Sequence, residues 1–115
     1  MSRRSHDSVA ASLRAGASVF AALGDKTRLL LVARLSDGRA HSISQLTAGS
    51  RLTRQAITKH LRVLKRAGMV HSRRAGRERL FEFDPRPIGE MREYLDHVSE
   101  QWDQTLTRLK LFVES

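Results

Sequence analysis

The sequence predicts a mainly α domain of about five helices with a small two-stranded β-hairpin. Three features predict it. Apolar residues recur at spacings of three and four along most of the chain. The period switches to two only after Gly68. Gly24, Gly38, Gly49 and Gly68 punctuate the periodic runs. A chain of 115 residues has room for one compact domain spanning 1–115. With one Trp, one Tyr and four Phe, the core must come mainly from Leu, Val, Ile and Ala, a composition suited to packed helices.

Val9, Leu13, Ala17, Phe20 and Leu23 place the first amphipathic helix over residues 8–23. Gly24 ends it and Asp25 caps the next, expected over Lys26 to Leu35. Leu29, Leu30, Val32, Ala33 and Leu35 make this second helix apolar nearly all round, so a central position is expected. Ser42 or Ser44 can cap a short third helix with Ile43 and Leu46 inward, and Gly49-Ser50 supplies a turn. Thr53 follows as the N-cap of a fourth helix whose inner face is Ala56, Ile57, His60, Leu61 and Leu64.

Beyond Gly68, alternation of Val70, Ser72 and Arg74, then of Arg79, Phe81 and Phe83, predicts a hairpin over 69–84 that turns at Ala75-Gly76-Arg77-Glu78. Asp84-Pro85-Arg86-Pro87 breaks the chain. From Ile88, the residues Met91, Leu95, Val98, Trp102, Leu106, Leu109 and Val113 predict a last helix of about 26 residues, roughly 39 Å long. That is long for so small a domain, and its stripe is expected to extend onto a partner.

Twenty-one Lys and Arg against 12 Asp and Glu give a formal charge of +9, unevenly distributed. From Arg51 to Arg79 there are ten basic residues and one acid, Glu78, whereas from Glu82 onward eight acids face four bases. One face of the molecule is therefore expected to meet a polyanion and another to do something else.

Residues 42–67 thus read as two helices joined by a tight turn, the second basic outside and apolar inside, followed at once by a basic hairpin. That arrangement is a winged helix-turn-helix, whose chemistry is recognition of double-stranded DNA. On the second helix Thr53, Arg54, Gln55, Thr58, Lys59 and Arg62 are the candidates for the major groove. Arg54 has the chemistry for a two-pronged contact to guanine and Gln55 for one to adenine. Arg51, Thr58, Lys59 and Arg62 suit phosphates, as do Arg73, Arg74, Arg77 and Arg79 on the wing, which also have a minor groove within expected reach.

The segments Phe20-Ala-Ala-Leu-Gly-Asp-Lys-Thr-Arg28, Leu52-Thr-Arg-Gln-Ala-Ile-Thr-Lys-His-Leu61 and Val63-Leu-Lys-Arg-Ala-Gly-Met-Val70, with Arg74-Ala-Gly-Arg77, resemble the ArsR/SmtB-type winged-helix repressors. The resemblance covers about residues 17–87 in the family's order and spacing. It implies a homodimer, joined through its first and last helices (8–23 and 88–113), that sits on an operator and blocks transcription. Val9, Leu13, Phe20, Met91, Leu95, Val98, Trp102, Leu106 and Leu109 are the expected interface. The last helix is similar to a subset of the family not associated with metal sensing. Third-helix cysteines are missing, and Asp96-His97 are adjacent, pointing about 100° apart on a helix, which suits neither zinc nor nickel. No metal and no cofactor are expected. His60 resembles a packing position of the family. No residue identifies an inducing signal, whether a small-molecule or a protein effector.

The absence of cysteine excludes disulfides, thiolate metal sites and thiol redox sensing, and accords with a reducing cytoplasm. Near the start the longest uncharged stretch is the ten residues Ala15 to Gly24, too short to span a membrane. Ser5, His6 and Asp7 follow the Arg3-Arg4 pair where an export signal needs apolar residues, so a cytoplasmic protein is expected. No nucleophile elbow, metalloprotease helix or glycine-rich dinucleotide loop is present, so an enzyme is not expected. The competing readings are an RNA-binding module, disfavoured because no exposed aromatic pair offers a stacking platform, and an architectural DNA-binding protein with little sequence preference.

Overall fold

The computed structural model describes residue 14 and residues 16–114. Its elements are α1 (residues 16–23), α2 (Lys26–Leu35), β1 (His41–Ser42), α3 (Ile43–Thr47), α4 (Arg54–Arg66), β2 (Val70–Ala75), β3 (Glu78–Phe83) and α5 (Arg86–Glu114). Val9 and Leu13, predicted on the first helix, lie outside the described residues.

The core is aliphatic, as the scarcity of aromatics requires. Val19 and Ala22 from α1, Leu31, Val32 and Leu35 from α2, and Leu46 from α3 meet Ile57, Leu61 and Leu64 of α4. Met69, Val70 and Phe81 cover this cluster from the sheet side, and Met91 closes it from α5. Each helix of the central part begins on a capped residue. Asp25 Oδ1 accepts from the Arg28 amide at 3.0 Å, and Thr53 Oγ1 from the Ala56 amide at 3.1 Å. Ser42 and Gln45 form a reciprocal capping box at the start of α3.

Three expectations are corrected. The sheet has three strands in the order β1-β3-β2, not two: His41 and Ser42 pair antiparallel with Phe81 and Leu80. A two-residue strand is too short to show alternation, and Ser42 ends it while capping α3. The second helix is not apolar all round in use. It buries Leu31, Val32 and Leu35, but leaves Leu29, Leu30 and Ala33 exposed, Leu30 at 59%. The last helix starts at Arg86 rather than Ile88, because Asp84 Oδ1 takes the Arg86 amide at 3.0 Å and Pro87 is tolerated in a first turn that needs no amide donor.

With 29 residues, α5 runs about 43 Å, and the described residues extend 68 Å along their longest axis. Met91 is the one buried residue of α5, packed beside Gly16 of α1. Beyond Val98, which is half-buried, every described residue of α5 is exposed.

Candidate nucleic-acid interface

Burial of Ile57, Leu61 and Leu64 fixes the rotation of α4 and forces its other side outward. Arg54, Gln55, Lys59 and Arg62 are exposed there and Thr58 is half-exposed; these five line a shallow depression of about 290 Å³. The helix carries no acid. Its entry is set by Gly49, whose φ of +75° only glycine adopts without strain, and by Ser50, whose hydroxyl accepts from the Leu52 amide at 3.1 Å. Arg34 of α2 closes the end of α3 by donating to the carbonyls of Leu46 and Gln45 at 2.5 and 2.9 Å. Arg34 thus ties α2 to the end of the first helix of the motif.

Two predicted residues are already engaged. The Thr53 hydroxyl accepts the Ala56 amide in the helix cap, and Thr58 donates its hydroxyl back to the Arg54 carbonyl at 2.7 Å. The Arg54 guanidinium reaches Ser44 Oγ at 3.1 Å, so it bridges the two helices of the motif. Arg51 stands exposed in the connection, beside a groove of about 550 Å³ between α2 and the turn, lined by Leu30, Arg34 and Leu52.

The wing sorts its charges by face. Pairing of Val70 with Phe83, Ser72 with Phe81 and Arg74 with Arg79 puts Ser72, Arg74 and Arg79 on the face that continues the core. His71, Arg73, Glu78 and Glu82 occupy the other face, where Arg73 and Glu82 form an ion pair at 3.2 Å. Arg77 sits at the tip of a two-residue loop that Gly76 opens with φ +65°, as a type II′ turn requires. The four predicted wing arginines are therefore not equivalent: Arg74 and Arg79 share the side of α4, Arg77 leads the tip, and Arg73 is paired on the far side.

Two participants escaped prediction. Lys65 Nζ of α4 donates to Ser72 Oγ at 2.9 Å, and Arg79 donates to the same oxygen at 3.2 Å. Lys65 lies one turn beyond Arg62, and the helical period places it outward or on the flank with the other cations, though not among the expected contacts. Arg28 is the other: it donates to the carbonyls of Ala22 and Ala21 at 2.6 and 3.3 Å and lies 3.5 Å from His60 Nδ1. It joins the end of α1 to α2 and α4, which gives half-buried His60 a structural partner.

At the base of the wing, Asp84 is buried and accepts from His71 Nε2 at 2.7 Å and from Arg86 by both side chain and backbone. The Arg86 guanidinium beside it, then the Arg86 amide and His71, hold its carboxyl far below the usual carboxylate range, and Asp84 in turn raises Arg86. Asp25 is lowered chiefly by the Arg28 amide it accepts at the α2 cap.

On α5, Leu95, Trp102, Leu106 and Leu109 are exposed along one stripe, Trp102 at 62%, and Phe20 of α1 is exposed too. Met91, expected in the same stripe, is instead consumed by the chain's own core. Asp96 and His97 are both exposed, and His97 Nε2 lies 3.3 Å from Gln101 Nε2. Among the described residues no group of three or more His, Cys, Asp or Glu is arranged around a metal, and no helix is long and apolar enough to cross a membrane.

Residues 23–73 match the model of a helix-turn-helix domain family, from the end of α1 into the wing. The chain is 34% identical over 94 residues to the HTH-type transcriptional regulator Rv2034 of Mycobacterium tuberculosis, covering 82% of this chain and 84% of that protein. It is 40% identical over 77 residues to the uncharacterized HTH-type transcriptional regulator YuzN of Bacillus subtilis, covering 62% of this chain and 84% of that one. An ArsR-like transcriptional regulator from Rhodococcus sp. RHA1 superposes with a TM-score of 0.79 at 33% identity, covering 89% of this chain and 95% of that chain. With its helix-turn-helix DNA-binding domain, the chain belongs to the ArsR-like family of transcriptional regulators.

Proposed function

We propose that the protein is a cytoplasmic homodimeric repressor that recognises a specific duplex operator and blocks transcription by occupying it. The observation that carries this reading is the acid-free outward side of α4, which presents Arg54, Gln55, Lys59 and Arg62 together beside the cationic face of the wing. A helix of this width fits a major groove, and polar side chains near its N-terminal end reach base edges while the later cations meet phosphates. In this reading the whole chain is one domain, with residues 42–67 reading sequence, 69–84 gripping the backbone, and α1 with α5 joining two copies.

Dimerisation is supported by the exposed stripe from Leu95 to Leu109. An apolar surface of that length on a soluble monomer is costly, and a second copy is the occupant that also explains recognition: two wings and two helices on one side of a duplex double the contacts. No cofactor enters the reading, and any effector, small molecule or protein, would act by shifting the dimer's DNA-binding geometry.

Footprinting of bound genomic fragments tests it. A dimeric repressor protects two symmetric half-sites about one helical turn apart, roughly 34–36 Å, and lowers transcription from the adjacent promoter. Uniform protection without symmetry would favour an architectural role, and preference for unpaired RNA over duplex DNA would reject the reading.

A further inference from the structure

Ser72 is half-buried where the wing meets the end of α4, and two cations converge on its hydroxyl: Lys65 Nζ at 2.9 Å and an Arg79 guanidinium nitrogen at 3.2 Å. A serine oxygen has two lone pairs and one proton. Both lone pairs are engaged by these donors, and among the described residues no acceptor meets the remaining O–H. The ammonium and guanidinium likewise keep spare N–H groups, so the cluster presents donors only. Arg74 stands directly opposite Arg79 on the same face, a like-charge cross-strand pair that is unfavourable in isolation. Both wing acids, Glu78 and Glu82, lie on the other face, and α4 has none. Nothing acidic on these three elements neutralises the group.

We propose that Lys65, Ser72 and Arg79 form a preassembled seat for one phosphate of the duplex backbone, shared between the recognition helix and the wing. An incoming phosphate oxygen accepts the Ser72 O–H and the free N–H groups of Lys65 and Arg79, which are close enough to serve the same anion. Because one donor comes from α4 and two from the wing, the phosphate locks the angle between them and sets the register in which Arg54 and Gln55 meet the bases. This inference rests on the proposed DNA binding and specifies one contact within it.

The test is the salt dependence of duplex binding by the full-length protein, read by fluorescence anisotropy between 50 and 200 mM salt. Loss of one phosphate contact lowers the slope of log K against log salt by about 0.9, so the wild type should lose about 3.5-fold more affinity across that range than a variant lacking the seat. The double variant should lower the slope by this one increment and Lys65→Ala or Arg79→Ala alone by no more than that, since both cations serve the same phosphate. Ser72→Ala should weaken binding about tenfold with the slope unchanged, because it removes a donor and no charge. Equal melting temperatures show that the variants remain folded.

Two full increments in the double variant would mean two separate phosphates and overturn the shared seat. An unchanged slope with wild-type binding intact would also overturn it, while leaving the DNA-binding reading in place. A wild type that fails to bind any duplex would reject that reading and the seat with it. Saturable binding of inorganic phosphate with the duplex slope unchanged in the double variant would assign the seat to a free anion instead.

Discussion

His71 on β2 donates its Nε2 hydrogen to the buried carboxylate of Asp84 at 2.7 Å, and the same carboxylate takes the Arg86 amide at 3.0 Å. One acid therefore fastens the base of the wing to the first turn of α5, alongside the packing of Met91 in the core. Its carboxyl is held below the usual carboxylate range, chiefly by Arg86. A lowered folded-state value means that the stabilisation is fully present above the unfolded value, about 3.9, and is lost as pH falls through the folded value. Asp84→Asn should lower the melting temperature by several degrees at pH 7. The gap between wild type and variant should persist down to about pH 5 and narrow on further acidification. A gap independent of pH would show that the charge is not what matters.

Thr53 was read from the sequence both as a helix cap and as a DNA-facing residue, and substitution separates the two roles. Its Oγ1 accepts the Ala56 amide at 3.1 Å, so Thr53→Ala should destabilise the protein by about 1 kcal/mol in urea denaturation. Thr53→Ser keeps the cap and should retain both stability and duplex affinity. Loss of affinity in the serine variant, with stability unchanged, would assign the threonine methyl a direct contact.

The helices and hairpin were legible because each one's periodicity and caps agree: Thr53 with Ile57, Leu61 and Leu64, or Gly76 between two alternating runs. The misses have a common cause, since they concern relations between elements. The pairing of His41 with Phe81 spans the helix-turn-helix and leaves no local signal. Leu29 and Leu30 share the apolar character of Leu31, and only packing decides which of them face the core. Met91 fits the stripe of α5, yet Gly16 leaves a space in α1 that draws it inward. Ser72 was legible as a strand position, but its two cationic donors come from another helix and the opposite strand.

Arg54 must exchange its 3.1 Å contact with Ser44 for a base edge if it reads sequence, whereas Gln55 carries no such constraint. Arg54→Ala and Gln55→Ala should each cost about 1–3 kcal/mol on the operator and little on an unrelated duplex, as expected for base contacts. The measurement is the ratio of Kd values for the two duplexes at fixed salt. An equal loss on both would reassign these side chains to phosphates.

Trp102 is 62% exposed on a helix face that continues through Leu106 and Leu109, while Met91 on the same face is already buried. The uncovered part of the stripe therefore starts at Leu95, and Trp102 stands near its middle, where truncation or charge is most damaging to a symmetric interface. If α5 forms the proposed interface, Trp102→Glu should place a carboxylate in it and leave the protein monomeric at micromolar concentration, as read by light scattering against the wild type. Because Trp102 is exposed and lies outside the core formed by the described residues, secondary structure should survive. Operator affinity should then fall by at least about a hundredfold, since each monomer holds only one half-site and loses the effective concentration that its partner supplies. A variant that remains dimeric would move the interface away from α5, and a monomeric variant with undiminished affinity would show that one recognition helix and one wing suffice.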